Sequence, residues 1–463
     1  MFEAATPVVP APSAGRRAAP QQDAAMVLPP QPKTIADTGL DRQMVLALVV
    51  KAIGQAGDAH LPALAHRLRL SMSALREALD LLAREQLVDI AGRGETEIDI
   101  QYRLTERGKL YCAECLAQSR YVGPAPVTLD AFRAGLARDA ERNGAASRIS
   151  PAELAAALAD DGIDGALREQ LGAALHSGRA LLLHGPSGAG KSALARKLGR
   201  LLHGVVAVPD AILVGQQIVQ FHDPLVHHKP PPAQAARYEE RRNCDTRWRV
   251  CQRPVVQVGA ELAPAMFELH LDAGDGVCQA PVHLKASGGL LVLDDLGRQK
   301  VPAAALLDRF IGPLDYGVEQ LAMQGGHAET VPFALTLVFV TNQQPAAILD
   351  EPLLRRIAYK IHLGGLGEAS YRALLRRECD AQEVPFDDAA ADYLVGQLHA
   401  GSGRPLLVSY PRELVGRIVD FASFAGTSAR LSAAALDQAW TSMFACSAPG
   451  APARAPVSFG GKP

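Results

Sequence analysis

The 463-residue chain has no apolar run long enough to span a bilayer, which excludes a transmembrane helix from the expected architecture. It also lacks a charge excess. Its 47 Lys and Arg stand against 49 Asp and Glu, a formal net charge of −2, so bulk electrostatics favours no strongly charged partner. Seven cysteines in a chain of this length make no disulfide framework, and the expectation is a cytoplasmic protein with reduced thiols. The N-terminus lacks the charged start and apolar block of a secretory signal. The chain does have the length for two or three domains and a substantial core.

One stretch organises the rest: Gly185-Pro186-Ser187-Gly188-Ala189-Gly190-Lys191-Ser192. Its spacing is G-x-x-x-x-G-K-[ST]. A short apolar run, 179–184, reads as a buried strand before it, and 192–202 has helical apolar spacing after it. Strand, glycine loop and helix together form a phosphate-binding context. The glycines let successive backbone N–H groups face one anion, and the helix N-terminus adds its positive dipole end. Lys191 is expected to reach the β- and γ-phosphates of ATP, and the Ser192 hydroxyl to ligate Mg²⁺. A glycine-rich turn that binds nothing is the bland alternative.

Residues 1–38 are rich in Pro, Ala and Gln and read as a disordered tail, as do residues 447–463. From residue 39 to 122 the pattern gives three helices, the third capped by Ser71. Two short strands at 87–91 and 98–104 follow, separated by a Gly92-Arg93-Gly94 turn, and a last helix opens at Thr105. This order resembles a winged helix-turn-helix domain. Between residues 39 and 122 eleven Lys and Arg balance eleven Asp and Glu, so the basic stripe of a DNA reader is missing. A protein-docking role is the preferred expectation there, with DNA binding as the alternative. Cys112 and Cys115 on the last helix read as half-buried cysteines, because no second ligand pair stands at zinc-site spacing. Residues 123–177 read as a linker followed by helices, one opened by Ser150-Pro151-Ala152-Glu153. In 230–253, Arg237, Arg241, Arg242, Arg247, Arg249 and Arg253 surround Trp248. Glu239, Glu240 and Asp245 interleave, and the expectation is a solvated, salt-bridged insertion.

Further on, Leu290-Leu291-Val292-Leu293 is a strand buried on both faces, followed by Asp294 and Asp295. Acids at the C-terminal end of such a strand stand where open α/β sheets bind ligands. A second buried strand, 335–340, ends in Thr341 and Asn342. Arg355 and Arg356 precede a last strand, and four helices with Arg412 on the third close the pattern.

From about residue 171 to 444 the chain resembles an AAA+ ATPase. The resemblance implies an α/β core at 178–363 with a P-loop parallel sheet flanked by helices, an all-α lid at 364–446 and the winged-helix domain in front. It makes 185–192 the Walker A loop and Leu290 to Asp295 a Walker B strand, in which Asp294 holds Mg²⁺. Asp295 stands where the related ATPases have the glutamate that activates water. Asn342 matches sensor 1, and Arg412 matches sensor 2. Arg355 and Arg356 match the finger that acts on the neighbouring subunit's ATP, with Arg356 preferred. The lead into Leu290 and the hairpin before the Asn342 strand resemble the branch that holds the MoxR/chelatase-like and enhancer-binding ATPases. The loop by which the activators contact a sigma factor is not recognisable here. The implied assembly is a homo-oligomer, with a hexamer suggested, that remodels an unidentified protein substrate. The competing readings are a DNA-binding transcription regulator and a P-loop kinase. The paired aspartates, Asn342 and the helical lid speak against the kinase.

Overall fold

The computed structural model describes residues 28–93, 100–146, 149–232, 243–272, 274, 276–323 and 326–444. Its first unit holds α1 (Arg42–Ala56), β1 (Ala59–His60), α2 (Leu61–Leu68), α3 (Met72–Arg84), β2 (Val88–Arg93), β3 (Ile100–Leu104) and α4 (Glu106–Gln118). The caps are those the sequence offers. Asp41 accepts from Gln43 N–H at 2.8 Å, Ser71 from Ala74 N–H at 3.2 Å and Thr105 from Gly108 N–H at 3.0 Å. Val49, Ile53, Leu64, Leu75 and Leu79 pack in one core. Each such burial contributes about 1.5–3 kcal/mol. The strands pair antiparallel in the order β1-β3-β2. Gly92 and Arg93 belong to β2, where a turn is expected. A register shift between Ile90 and Gly92 lets the strand continue along β3. Residues 94–99 lie outside the described part.

Next in the chain are β4 (Val127–Thr128), α5 (Leu129–Ala146), α6 (Pro151–Ala157) and α7 (Gly165–Ser177). The predicted capping box of Ser150 and Glu153 is formed. Then come β5 (Leu181–His184), α8 (Lys191–Arg200), β6 (Val205–Pro209), β7 (Ala211–Val214), β8 (Gln217–Gln220), β9 (Trp248–Gln252) and β10 (Val255–Val258). The remaining strands are β11 (His270–Leu271), β12 (Cys278–Gln279), β13 (Leu290–Leu293), β14 (Val318–Ala322), β15 (Ala328–Pro332), β16 (Thr336–Thr341) and β17 (Tyr359–His362).

The chain is an α/β protein built on a five-stranded sheet, order β10-β13-β16-β5-β17, parallel throughout. Alternate side chains feed opposite cores. Leu182, Leu291, Leu293, Leu337 and Phe339 point to one face, and Leu181, Leu183, Val292, Val338 and Val340 to the other. Two covered faces are what the unbroken apolar runs require. After β5 the chain crosses to the far edge, returns strand by strand to β16, then passes β5 to add β17. The strand order therefore reverses at β5, and the register aligns His184, Thr341 and His362 at one end.

A second five-stranded sheet, order β11-β12-β8-β7-β4, is mixed and made of short strands. The apolar run 205–214 holds two strands, β6 and β7, with a break at Asp210, whose carboxylate pairs with Arg249 at 2.6 Å and Arg69 at 3.4 Å. The described part of the arginine-rich stretch is not solvated. Arg247 is 4% exposed, forks onto Asp245 and donates to the Thr38 and Pro126 carbonyls at 3.3 and 2.9 Å. Trp248 is buried beside it. Arg237, Arg241 and Arg242 lie outside the described residues. Residues 28–38, expected in the tail, are packed. Leu28 and Ile35 are buried, and Asp245 N–H donates to the Pro29 carbonyl at 2.8 Å. The tails proper, 1–27 and 445–463, are outside the description. Within 123–177, expected as linker and helices, Phe132, Leu154 and Leu171 are buried in the two cores they join. A C-terminal all-helical unit follows β17, with its own core around Tyr371, Leu394, Leu414 and Trp440. Among the described residues no helix is long and apolar enough to cross a membrane.

Candidate active site

The glycine loop leaves β5 at the C-terminal edge of the parallel sheet. Gly185 has φ 142°, and an added Cβ would lie 2.0 Å from the Leu363 carbonyl oxygen, so the backbone there admits only glycine. Gly190, at φ 84°, turns the chain into α8. Lys191, 7% exposed, donates to the Gly185 and Pro186 carbonyls at 2.9 and 2.8 Å. Burial lowers the pKa of its ammonium, and the nearby Asp294 and Asp295 work against that fall.

Asp294 follows β13 and is 6% exposed. Its Oδ1 accepts from Ser192 Oγ at 2.9 Å and from Asp295 N–H at 2.9 Å, and its Oδ2 accepts from Gln257 Nε2 at 2.7 Å. The two expected metal-binding residues thus meet, although 102 positions apart in the chain. Asp295 is exposed and holds φ 51°, a left-handed conformation that costs a non-glycine residue energy. Gln299 fastens this turn, donating to the Asp294, Asp295 and Gly259 carbonyls at 3.1, 3.2 and 3.2 Å.

Asn342 lies one residue past β16. Thr341 before it is fully buried and donates to the Leu296 carbonyl at 2.9 Å, which ties this strand end to the Asp294 loop. From the helical unit, Ser409 N–H donates to the Gly188 carbonyl at 3.1 Å, seating the helix Ser409–Phe424 on the glycine loop. Arg412 stands one turn further along. A cavity of about 550 Å³ results, lined by Ser187, Gly188, Gly190, Lys191, Ser192, Asp294, Asp295, Asn342 and Arg412 among others. That is the size of a small-molecule site.

Arg355 and Arg356 do not line this cavity. They sit on the helix Glu351–Arg356, where Arg356 pairs with Asp315 at 2.5 Å. The sequence reading missed Gln257, Gln299 and Arg377, the last a further basic group on the cavity wall. Gln257 carries the one faint signal, a polar residue in the apolar run 255–258. Its strand, β10, is four residues long and directly follows Pro254.

The charges bear on a cation. Lys191, Arg377 and Arg412 face Asp161, Asp294, Asp295, Glu378 and Glu413 across the cavity, three cations against five carboxylates. Asp161 is already paired with Lys197 at 2.6 Å, and an accompanying divalent cation reduces the repulsion that the remaining carboxylates exert on an entering polyphosphate. Ser192 Oγ and Asp294 Oδ1 are hard oxygen donors, as Mg²⁺ requires. Among the described residues no three His, Cys, Asp or Glu side chains form a ready cage. The donor set therefore fits an ion that shares its shell with phosphates and water.

A family model described as "Domain of unknown function (DUF8689)" matches residues 367–442, within the helical unit. No curated protein matches the chain. Among solved structures it is similar to a RuvB mutant from Thermotoga maritima, at 14% identity and TM-score 0.34, covering 65% of this chain and 73% of that one. It is similar to the RuvB Holliday junction branch migration motor of the same organism, at 15% identity and TM-score 0.33, covering 60% and 67%. It is also similar to NtrX from Brucella abortus in complex with ATP, at 14% identity and TM-score 0.39, covering 73% and 64%. These likenesses are distant, and the chemical reading rests on the geometry of the site itself.

Proposed function

We propose that this protein is a Mg²⁺-dependent ATPase of the AAA+ type that hydrolyses ATP to ADP and phosphate. The observation that carries the reading is the convergence of Lys191, Ser192, Asp294, Asp295, Asn342 and Arg412 on one cavity at the strand-order reversal. A Mg²⁺ ion held by Ser192 and Asp294 would offset the charge of the β- and γ-phosphates. Gly188 to Ser192 cradle the phosphates, and Lys191 turns to them from the carbonyls of its own loop. Gln257 holds the Asp294 carboxylate in place. Asp295 orients the attacking water and takes its proton, with Asn342 fixing that water against the γ-phosphate. Aspartate is one methylene shorter than glutamate, and the left-handed turn at Asp295 sets where its carboxylate points. Arg412 brings the helical unit onto the nucleotide.

Arg356, or Arg355 beside it, completes the site from a neighbouring copy, which makes the active form a ring-like homo-oligomer. The salt bridge to Asp315 then holds Arg356 in readiness. The output is motion of the helical unit and of the N-terminal winged helix against the core, used to remodel a protein partner. The DNA-regulator reading is disfavoured by the seating of α3. Arg69, just before it, donates to the Thr246 carbonyl at 3.2 Å, and Glu77 on it accepts from Ile35 N–H at 2.9 Å. The test is Asp295→Asn. It is expected to bind ATP like wild type and to lose hydrolysis; hydrolysis at the wild-type rate would remove Asp295 from the mechanism.

A further inference from the structure

A second cavity, of about 700 Å³, lies between the N-terminal helices and the mixed sheet. It shares no lining residue with the site described above. Met44 and Leu48 of α1 and Ile218 of β8 give it an apolar wall. Much of the rest of the lining is polar and includes Asp41 and Glu114, and two of its polar groups lack a matching partner. Lys51, one helical turn beyond Leu48, is 3% exposed. Its ammonium donates to the Ser119 carbonyl at 3.1 Å, where the negative end of α4 helps to hold the charge. An ammonium has three donors. Among the described residues no carboxylate pairs with it, and burial depresses its pKa. Gln217, on β8, has its Oε1 buried with no hydrogen-bond partner. A buried unpaired acceptor and a buried cation without a counter-ion are both costly, and groups of this kind are retained where a ligand satisfies them.

We infer that this cavity binds a small carboxylic acid that carries a hydroxyl or amino group and an apolar chain, a 2-hydroxy or 2-amino acid in class. The carboxylate meets Lys51, the donor meets Gln217 Oε1, and the chain lies along Met44, Leu48 and Ile218. The cavity touches both the N-terminal helices and the mixed sheet, so an occupant bridges the two.

The experiment is isothermal titration of the full chain with 2-hydroxy-4-methylpentanoate, L-leucine and the neutral 4-methylpentane-1,2-diol. The expected result is that at least one acid binds at millimolar concentration or below, and that the diol binds at least tenfold more weakly. Which acid binds better distinguishes the hydroxy from the amino source. Lys51→Met, shown folded by circular dichroism, is expected to lose at least tenfold for the acid and nothing for the diol. Gln217→Leu is expected to lose at least threefold for the acid. Lys191→Ala is expected to change none of these, which separates this site from the nucleotide reading. Failure of both acids to bind wild type, equal binding of acid and diol, or undiminished acid binding to folded Lys51→Met would each overturn the assignment. Should Lys51→Met not fold, the wild-type contrast between acid and diol decides.

Discussion

The two five-stranded sheets of this protein contain the same number of strands and are held in different ways. In the parallel sheet every residue of β5 but the last is buried, as is every residue of β13 and β16, and neighbouring runs align in register over four residues. Its order is set by apolar burial on two faces, and its loops are free to carry chemistry at one edge. In the mixed sheet β4, β11 and β12 are two residues long. That region is held by buried polar links, with Arg247 on Asp245, Arg249 on Asp210 and His227 on Lys285. The first sheet builds a site from local motifs. The second joins distant parts of the chain through polar contacts, among them Arg249 on Asp210 and Arg247 on the Thr38 and Pro126 carbonyls.

Five substitutions sharpen or break this contrast. The largest effect is expected at Gly185→Ala, where the new Cβ would meet the Leu363 backbone oxygen at 2.0 Å. Denaturant unfolding should show a loss of at least about 3 kcal/mol. In the mixed sheet, Gly215→Ala at φ 59° meets side-chain ends alone, Glu329 at 3.2 Å and His327 at 3.6 Å. Its loss should be about 1–2 kcal/mol. Equal losses at the two glycines would break the contrast.

Next is the buried polar region in acid. Burial pushes His227 down to about 4, below the ordinary imidazole range. Its Nδ1 accepts from Asp223 N–H, so the neutral ring is the one that fits. As pH falls the unfolded chain takes up the proton first. Stability contributed by neutral His227 is therefore complete above the unfolded pKa of about 6.5 and is lost as pH falls toward about 4, up to roughly 3 kcal/mol. His227→Gln should flatten stability against pH in that window; an unchanged slope would remove His227 as the cause. Smaller again is Gln257→Leu, which leaves Asp294 Oδ2 without its donor. A loss of about 1–3 kcal/mol is expected. ATP turnover should fall with it, whereas a purely structural Gln257 would leave turnover per folded molecule unchanged. Arg356→Ala breaks only a partly exposed pair and should leave the melting temperature where it is. Its turnover should fall, and mixing with Lys191→Ala should restore some of it. No recovery in shown mixed oligomers would count against a finger acting between subunits.

The contrast also explains what the sequence made readable. The 185–192 loop, the Leu290–Leu293 strand with its two aspartates, and the apolar strand before Asn342 are local patterns, so their chemistry stands in neighbouring residues. Arg412 was singled out by the family resemblance alone. Gln257 was not readable, because its importance arises only when β10 pairs with β13 and brings it to Asp294. Arg247 looked solvated because interleaved acids suggest a charged surface. Its burial depends on the Thr38 and Pro126 carbonyls, far away in the chain. The break at Asp210 was hidden for the same reason, its partners Arg69 and Arg249 being set by the fold. Nothing local in the sequence marks Lys51 as buried, because its burial and its contact with the Ser119 carbonyl arise only in the fold.

The central claim is that the cavity around Lys191 hydrolyses ATP. The most direct measurement is steady-state phosphate release from ATP with Mg²⁺ by the full chain, wild type against Lys191→Ala at equal folded concentration. Wild type should turn over ATP without any acceptor substrate, and Lys191→Ala should fall by about 100-fold or more, to the limit of detection. Turnover by Lys191→Ala at the wild-type rate, or none by wild type in any assembled state, would contradict the assignment.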